Sequence, residues 1–100
     1  MAKMKVAKTS ELNEGKSKLV TVNDKEIVLF KVNNQFFAMD NTCLHVGGSL
    51  AEGEIEGNQV TCPLHGWQYD IKSGQNTMPG MGKLNSYKVE VQGEEIFIEA

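Results

Sequence analysis

An all-β domain, folded as a small antiparallel sandwich or barrel-like sheet, is what this 100-residue sequence predicts. Three observations carry the expectation. Apolar and polar residues alternate with a period of two along short segments, the pattern of half-buried strands. The segments recur at regular spacing, with Asn, Asp and Gly turn signals between them. No segment sustains a 3.6-residue apolar stripe, which argues against a helix bundle.

The elements follow in order. Met4 to Lys8 reads as a short first strand, and residues 10–15 hold at most one helical turn before Gly15. Lys18 to Val22 and Glu26 to Val32 flank Asn23-Asp24-Lys25, a hairpin signal. Asn33-Asn34 then turns the chain into Gln35 to Met39, which completes a three-strand meander. Ile55 and Val60 flank a further tight turn. Trp67 to Ile71 is strand-like and ends in Lys72-Ser73-Gly74. Tyr87 to Val91 and Glu95 to Glu99 alternate cleanly around Gln92-Gly93-Glu94, a terminal hairpin. Val20, Ile27, Leu29, Phe36, Val89, Ile96 and Ile98 are the expected core.

Length bounds the chain to one domain, residues 1–100. A domain this small buries only about two thirds of its unfolded surface, so a metal centre would be a useful anchor. The net charge is −3 and there is no arginine, which argues against a nucleic-acid partner. Charge is unevenly placed. From Val32 to Ile71 there is no lysine, but there are Asp40, Glu52, Glu54, Glu56 and Asp70. That negative stretch is either a solvated face or a docking surface for a basic partner. No secretory signal and no apolar run of about 20 residues is present, so a cytoplasmic protein without a membrane span is expected. A structural disulfide between two lone cysteines is not expected in that compartment.

Glycines gather between residues 40 and 82, where the strand pattern is weakest. They suggest a second, loop-built half whose backbone comes close to something. Every cysteine and histidine of the chain lies there. Cys43-x-His45 is followed, sixteen residues on, by Cys62-x-x-His65. Each loop supplies one thiolate and one imidazole, with Gly47 and Gly48 or Gly66 just behind. Four such residues read as the ligands of one metal centre. Zinc and iron–sulfur chemistry both accept two Cys and two His. A zinc finger pairs cysteine with cysteine and histidine with histidine, whereas here each pair is mixed. A two-iron centre gives the mixing a purpose, because each loop can serve both irons while its glycine amides donate to the sulfides.

The pattern C-x-H…C-P-x-H-G, with this separation, resembles the Rieske [2Fe–2S] proteins. The resemblance extends to the preceding meander, to WQYDIKSG at 67–74, and to Met78-Pro79-Gly80-Met81-Gly82, which is similar to the family's third loop over the cluster. It implies one [2Fe–2S] cluster in a loop-built subdomain over about residues 40–82. Cys43 and Cys62 would ligate the buried iron, His45 and His65 the outer one. Neutral imidazoles in place of two thiolates raise the potential from about −400 mV into a range of about −150 to +300 mV.

Departures from the respiratory branch narrow that range. The positions of its loop disulfide are Gly48 and Leu64 here, and its sulfide-bonding serine is replaced by Trp67. A tyrosine whose hydroxyl reaches a ligand cysteine is kept, as Tyr69. With a donor missing, the reduced cluster is less stabilised, and a potential near about −150 mV is expected. Trp67, Tyr69, Leu44, Leu64, Val46, Met78 and Met81 either pack around the cluster or form an apolar docking patch at the histidine edges. Asp70 reads as a turn residue.

The resemblance implies a monomeric ferredoxin that carries one electron from a ferredoxin reductase to a terminal oxidoreductase such as a ring-hydroxylating oxygenase. It would turn over no substrate itself, and so short a chain leaves little room for a substrate pocket. A small Rieske subunit of a nitrite reductase-like or oxygenase complex is the alternative.

Overall fold

The computed structural model describes residues 3–22, 24–42, 49–63, 66–77 and 82–99. Nine strands run through them: β1 (Lys3–Lys8), β2 (Ser17–Val22), β3 (Lys25–Val32), β4 (Gln35–Asp40), β5 (Glu54–Glu56), β6 (Gln59–Thr61), β7 (Gln68–Asp70), β8 (Ser86–Gln92) and β9 (Glu95–Glu99). Two single 3₁₀ turns, Thr9–Glu11 and Leu50–Glu52, are the helical elements among the described residues. Six strands form one antiparallel sheet in the order β1-β9-β8-β4-β3-β2. Its outer strands β1 and β2 also approach each other, so the sheet curls almost closed. The other three form a small sheet, β5-β6-β7, set against it. This is the all-β, barrel-like architecture expected.

Turn chemistry explains the meander. Val32 pairs with Gln35, so Asn33 and Asn34 alone make the β3–β4 loop. Both have positive φ, 53° and 61°, the requirement of a type I′ turn, and asparagine tolerates it. The Glu14 carboxylate accepts both of their backbone N–H groups, at 2.6 and 2.9 Å. The β2–β3 loop is one residue shorter than the sequence suggested. Lys25 pairs with Val22 as the first residue of β3 and is not part of the turn.

Two cores share the long sheet. Ala7, Leu12, Val20, Val22, Ile27, Leu29, Ala38, Ile96 and Ile98 fill the inside of the curl, with Phe36 and Val89 packed against them. All seven expected core residues lie in this group. A second core, outside the curl, joins Val28, Phe30, Val32 and Met39 to Leu50, Val60, Cys62, Tyr69, Ile71 and Leu84 of the loop-built half. β3 therefore has alternate residues in different cores, Ile27 and Leu29 in one, Val28 and Phe30 in the other. Its near-continuous apolar run is the mark of a strand buried on both faces.

Candidate metal centre

Of the four expected ligands, Cys62 lies among the described residues; Cys43, His45 and His65 lie outside them, as do Leu44, Val46, Gly47, Gly48, Leu64, Met78, Pro79, Gly80 and Met81. What the structure does give is the base of every segment that carries them.

Cys62 follows β6 directly and is 1% exposed. Its N–H donates to the Trp67 carbonyl at 2.7 Å, and its own carbonyl accepts the Gly66 N–H at 3.1 Å. These bonds pin both sides of a tight turn from which β7 departs. Gly66 has φ of 74°, a left-handed conformation that glycine adopts without a Cβ penalty. Its amide, expected to face a sulfide, instead closes the turn on Cys62. Tyr69 is fully buried in the same apolar group as Cys62, and the half-buried Trp67 packs against that group.

The segment 43–48 is gripped at its base. Thr42 and Ser49 form an antiparallel bridge across it. Beside them Asn41, 2% exposed, makes four hydrogen bonds to described residues. Its N–H donates to the Glu26 carbonyl at 3.0 Å, and its carbonyl accepts the Leu50 N–H at 2.9 Å. Its Oδ1 accepts the Ala51 N–H at 2.8 Å, and its Nδ2 donates to Ser49 Oγ at 2.9 Å. Sequence reading gave Asn41 no role, because an asparagine at a strand end looks like a turn residue and burial is invisible in one sequence.

The segment 78–81 has a comparable base. The Asn76 N–H donates to the Gly82 carbonyl at 3.1 Å, and Gln75 bridges Lys83. The Thr77 N–H donates to the Gln68 carbonyl at 2.9 Å, which ties this base to β7. Gly74, with φ of 79°, lies so close to Leu84 that a Cβ would meet the Leu84 carbonyl. Asp40 joins this base to the first: its N–H donates to the Asn85 carbonyl at 2.9 Å. Its carboxylate accepts the Tyr87 hydroxyl at 2.6 Å and the Asn85 N–H at 3.3 Å. Desolvation first, and then the hydrogen bond to Asp40, push the Tyr87 phenol up to about 12.

The acids sort into two groups. Asp40 is held as described, and Asp70 is the turn residue expected, its Oδ1 accepting the Lys72 N–H at 2.8 Å. Glu52, Glu54 and Glu56 are exposed. Glu52 and Glu54 share an open depression of about 440 Å³ with Thr61, Cys62, Pro63 and Gly66. The exposed part of the negative stretch thus places Glu52 and Glu54 beside the Cys62 turn, with Glu56 at the far end of β5 opposite Gln59. Among the described residues, no helix is long and apolar enough to cross a membrane.

Cys62 fits a thiolate ligand. It is buried among apolar side chains, and a charged sulfur there is costly unless a metal compensates it. Among the described residues it is a free cysteine. A curled sheet with a small three-stranded sheet against it, and three pinned segment bases around one buried cysteine, defines a β-scaffold for a prosthetic group held by loops. Residues 2–88 match the model of the Rieske [2Fe–2S] domain, and the chain belongs to that family. Its cofactor is a [2Fe–2S] cluster.

The ferredoxin component of the naphthalene 1,2-dioxygenase system of Pseudomonas aeruginosa is 32% identical over 89% of this chain and 86% of its own length. The ferredoxin of carbazole 1,9a-dioxygenase from Nocardioides aromaticivorans IC177 superposes with a TM-score of 0.92 at 26% identity, covering 98% and 97% of the two chains. A chain from a complex of reduced oxygenase and oxidized ferredoxin in carbazole 1,9a-dioxygenase superposes with a TM-score of 0.89 at 30% identity, covering 96% of this chain and 91% of that one.

Proposed function

We propose that this protein is a ferredoxin: a one-electron carrier between a reductase and a terminal oxygenase of the ring-hydroxylating kind, with no substrate turnover of its own. The observation that carries the reading is the similarity to ferredoxin components, which spans nearly the whole of both chains. Residues 1–100 form one domain, with about 40–82 as its cluster-binding part. Cys43 and Cys62 hold the inner iron, and His45 and His65 hold the outer iron. The cluster, when bound, supplies a one-electron couple in the Rieske range.

The chain's own residues do the rest. The apolar group around Cys62 and Tyr69 keeps water from the inner side. Glu52 and Glu54 beside the Cys62 turn, with Glu56 further along β5, give a basic partner surface a complementary field, which raises the encounter rate. The protein works as a monomer in the cytoplasm.

Iron and acid-labile sulfide analysis of the purified protein, with electron paramagnetic resonance after reduction, tests the ligand reading. Two irons and two sulfides per chain with a Rieske-type reduced signal are expected; zinc, or no metal, refutes it. Reconstitution with a ferredoxin reductase and a ring-hydroxylating oxygenase tests the carrier role. Hydroxylation that depends on this protein is expected. Co-purification in a fixed complex with a large enzyme favours the small-subunit alternative.

A further inference from the structure

We propose that Asn41 is a positioning residue for the metal centre: its buried side chain locks the base of the segment that carries Cys43 and His45. The inference rests on the reading of those two residues as ligands, and it assigns a role to a residue outside the ligand set.

Three features single Asn41 out. It is a polar side chain 2% exposed, in a molecule whose only other buried polar or charged side chain among the described residues is Asn76. Among the described residues, every one of its bonds but one reaches the returning limb of the same segment: Ser49 through Nδ2, Leu50 through the backbone carbonyl, Ala51 through Oδ1. The remaining bond, N–H to the Glu26 carbonyl, ties the departing limb to β3. The amide orientation is fixed by chemistry. The Ala51 backbone N–H can only donate, so the oxygen must face it and the nitrogen must face Ser49.

The location gives these bonds their consequence. Cys43 is two residues beyond Asn41, and Leu50, one residue beyond Ser49, is in the same apolar group as Cys62. The clamp therefore sets where the first ligand pair starts relative to the second. Without the side-chain bonds, the described base of the segment is joined by the Thr42–Ser49 bridge and the Leu50 N–H to Asn41 carbonyl bond. Two ligands are then free to leave the iron more often, and each departure gives a chelator its chance. A residue that merely filled space would lower global stability without selectively loosening residues 49–51.

The test compares wild type, Asn41→Ala, Ser49→Ala and the double variant, each loaded with cluster. Bleaching of the visible absorption by an iron chelator is followed well below the unfolding temperature. Hydrogen exchange by mass spectrometry is read on a peptide covering 49–53 and on one covering 27–31. Asn41→Ala removes two part-buried bonds, so release should quicken about tenfold or more. Ser49→Ala should quicken it less, and the double variant should be no faster than Asn41→Ala within about twofold, because both act through one clamp. Exchange should rise over 49–53 and stay unchanged over 27–31.

Equal release rates for wild type and Asn41→Ala, fully additive effects of the two substitutions, or an equal rise in exchange over both peptides each overturn the inference while leaving the ligand reading intact. A wild-type chain that binds no iron overturns the ligand reading and this inference with it. Should Asn41→Ala fail to assemble, Ser49→Ala, which leaves the Ala51 bond in place, carries the comparison with the same criteria.

Discussion

Alanine at Gly74 should destabilise this protein more than alanine at any other glycine whose surroundings are described. Two costs can be separated, because three glycines divide them. Gly57 has φ of 57° with nothing within 4 Å of a Cβ, so it carries the left-handed cost alone. That cost is about 1–2 kcal/mol, offset by about 0.4–1 kcal/mol from the stiffer unfolded chain. Gly53 has an ordinary φ of −80°, but a Cβ there would strike the Thr61 carbonyl, so it carries the steric cost alone. Overpacking of this kind costs about 1–3 kcal/mol. Gly74 carries both, since its φ is 79° and a Cβ would strike the Leu84 carbonyl. Its sum is about 2–4 kcal/mol, a large part of a stability of about 5–15 kcal/mol. Thermal unfolding by circular dichroism should show Gly57→Ala lowered by a few degrees and Gly74→Ala by about 8–32 °C, at about 4–8 °C per kcal/mol. Cluster release should quicken in Gly53→Ala and Gly74→Ala, which anchor segment bases, and not in Gly57→Ala. If Gly74→Ala melts no lower than Gly57→Ala, the close approach to Leu84 is not real and the reasoning fails.

Further outcomes follow from single contacts. Cys62→Ser should abolish stable cluster binding, read as near-zero iron and sulfide per chain with the strand signal retained; full iron content would exclude Cys62 as a ligand. Tyr87 should ionise near about 12 by ultraviolet titration of tyrosinate, and Tyr87→Phe should remove that phase. Because the folded phenol sits above its ordinary value, its contribution is complete below about pH 10 and is lost as pH rises toward about 12. Wild type and Tyr87→Phe should therefore converge in stability at high pH, and a gap that widens there would contradict the Asp40 contact. Glu14 is held below its ordinary value mainly by the backbone N–H groups of Asn34 and Asn33. Its contribution is present above about pH 4.5 and fades as pH falls. Urea unfolding should show Glu14→Gln weaker than wild type at neutral pH and the two alike in strong acid. The reduction potential should lie near about −150 mV, and a titration above zero would refute the argument from Trp67. It should fall as pH rises into the alkaline range, since the reduced cluster raises the proton affinity of its histidines; a potential constant from neutral to strongly alkaline pH would refute that.

Much of this molecule could be read from local pattern. Asn33-Asn34 specifies its turn because both positions need positive φ, and residues 95–99 alternate because one face of β9 lines the curl. The ligand loops announce themselves by the pairing of rare residue types. β3 was harder: alternation assigns one face inward, yet Val28 and Phe30 meet a second core built from residues 50–84, a contact made by folding and not by neighbours in the chain. The same distance hides Asn41 and Asp40. Each looks like an ordinary strand-end polar residue until the chain returns, eight to forty-seven residues later, with the partner that gives it a role. Position 25 was misplaced because a lysine next to Asn-Asp reads as turn, whereas the ladder continues through it to Val22.

The shared strand β3 bears on how the mature protein is made. One of its faces closes the curled sheet without help from residues 41–84, since Ile27 and Leu29 meet Ala7, Val20, Ile96 and Ile98. The other face is a waiting wall for Leu50, Val60 and Tyr69. The sheet can therefore form first from both ends of the chain, and the cofactor-bearing half can be laid on it afterwards. Loss of the cluster should therefore loosen the second core before the curl, whose apolar group among the described residues includes none between 41 and 84.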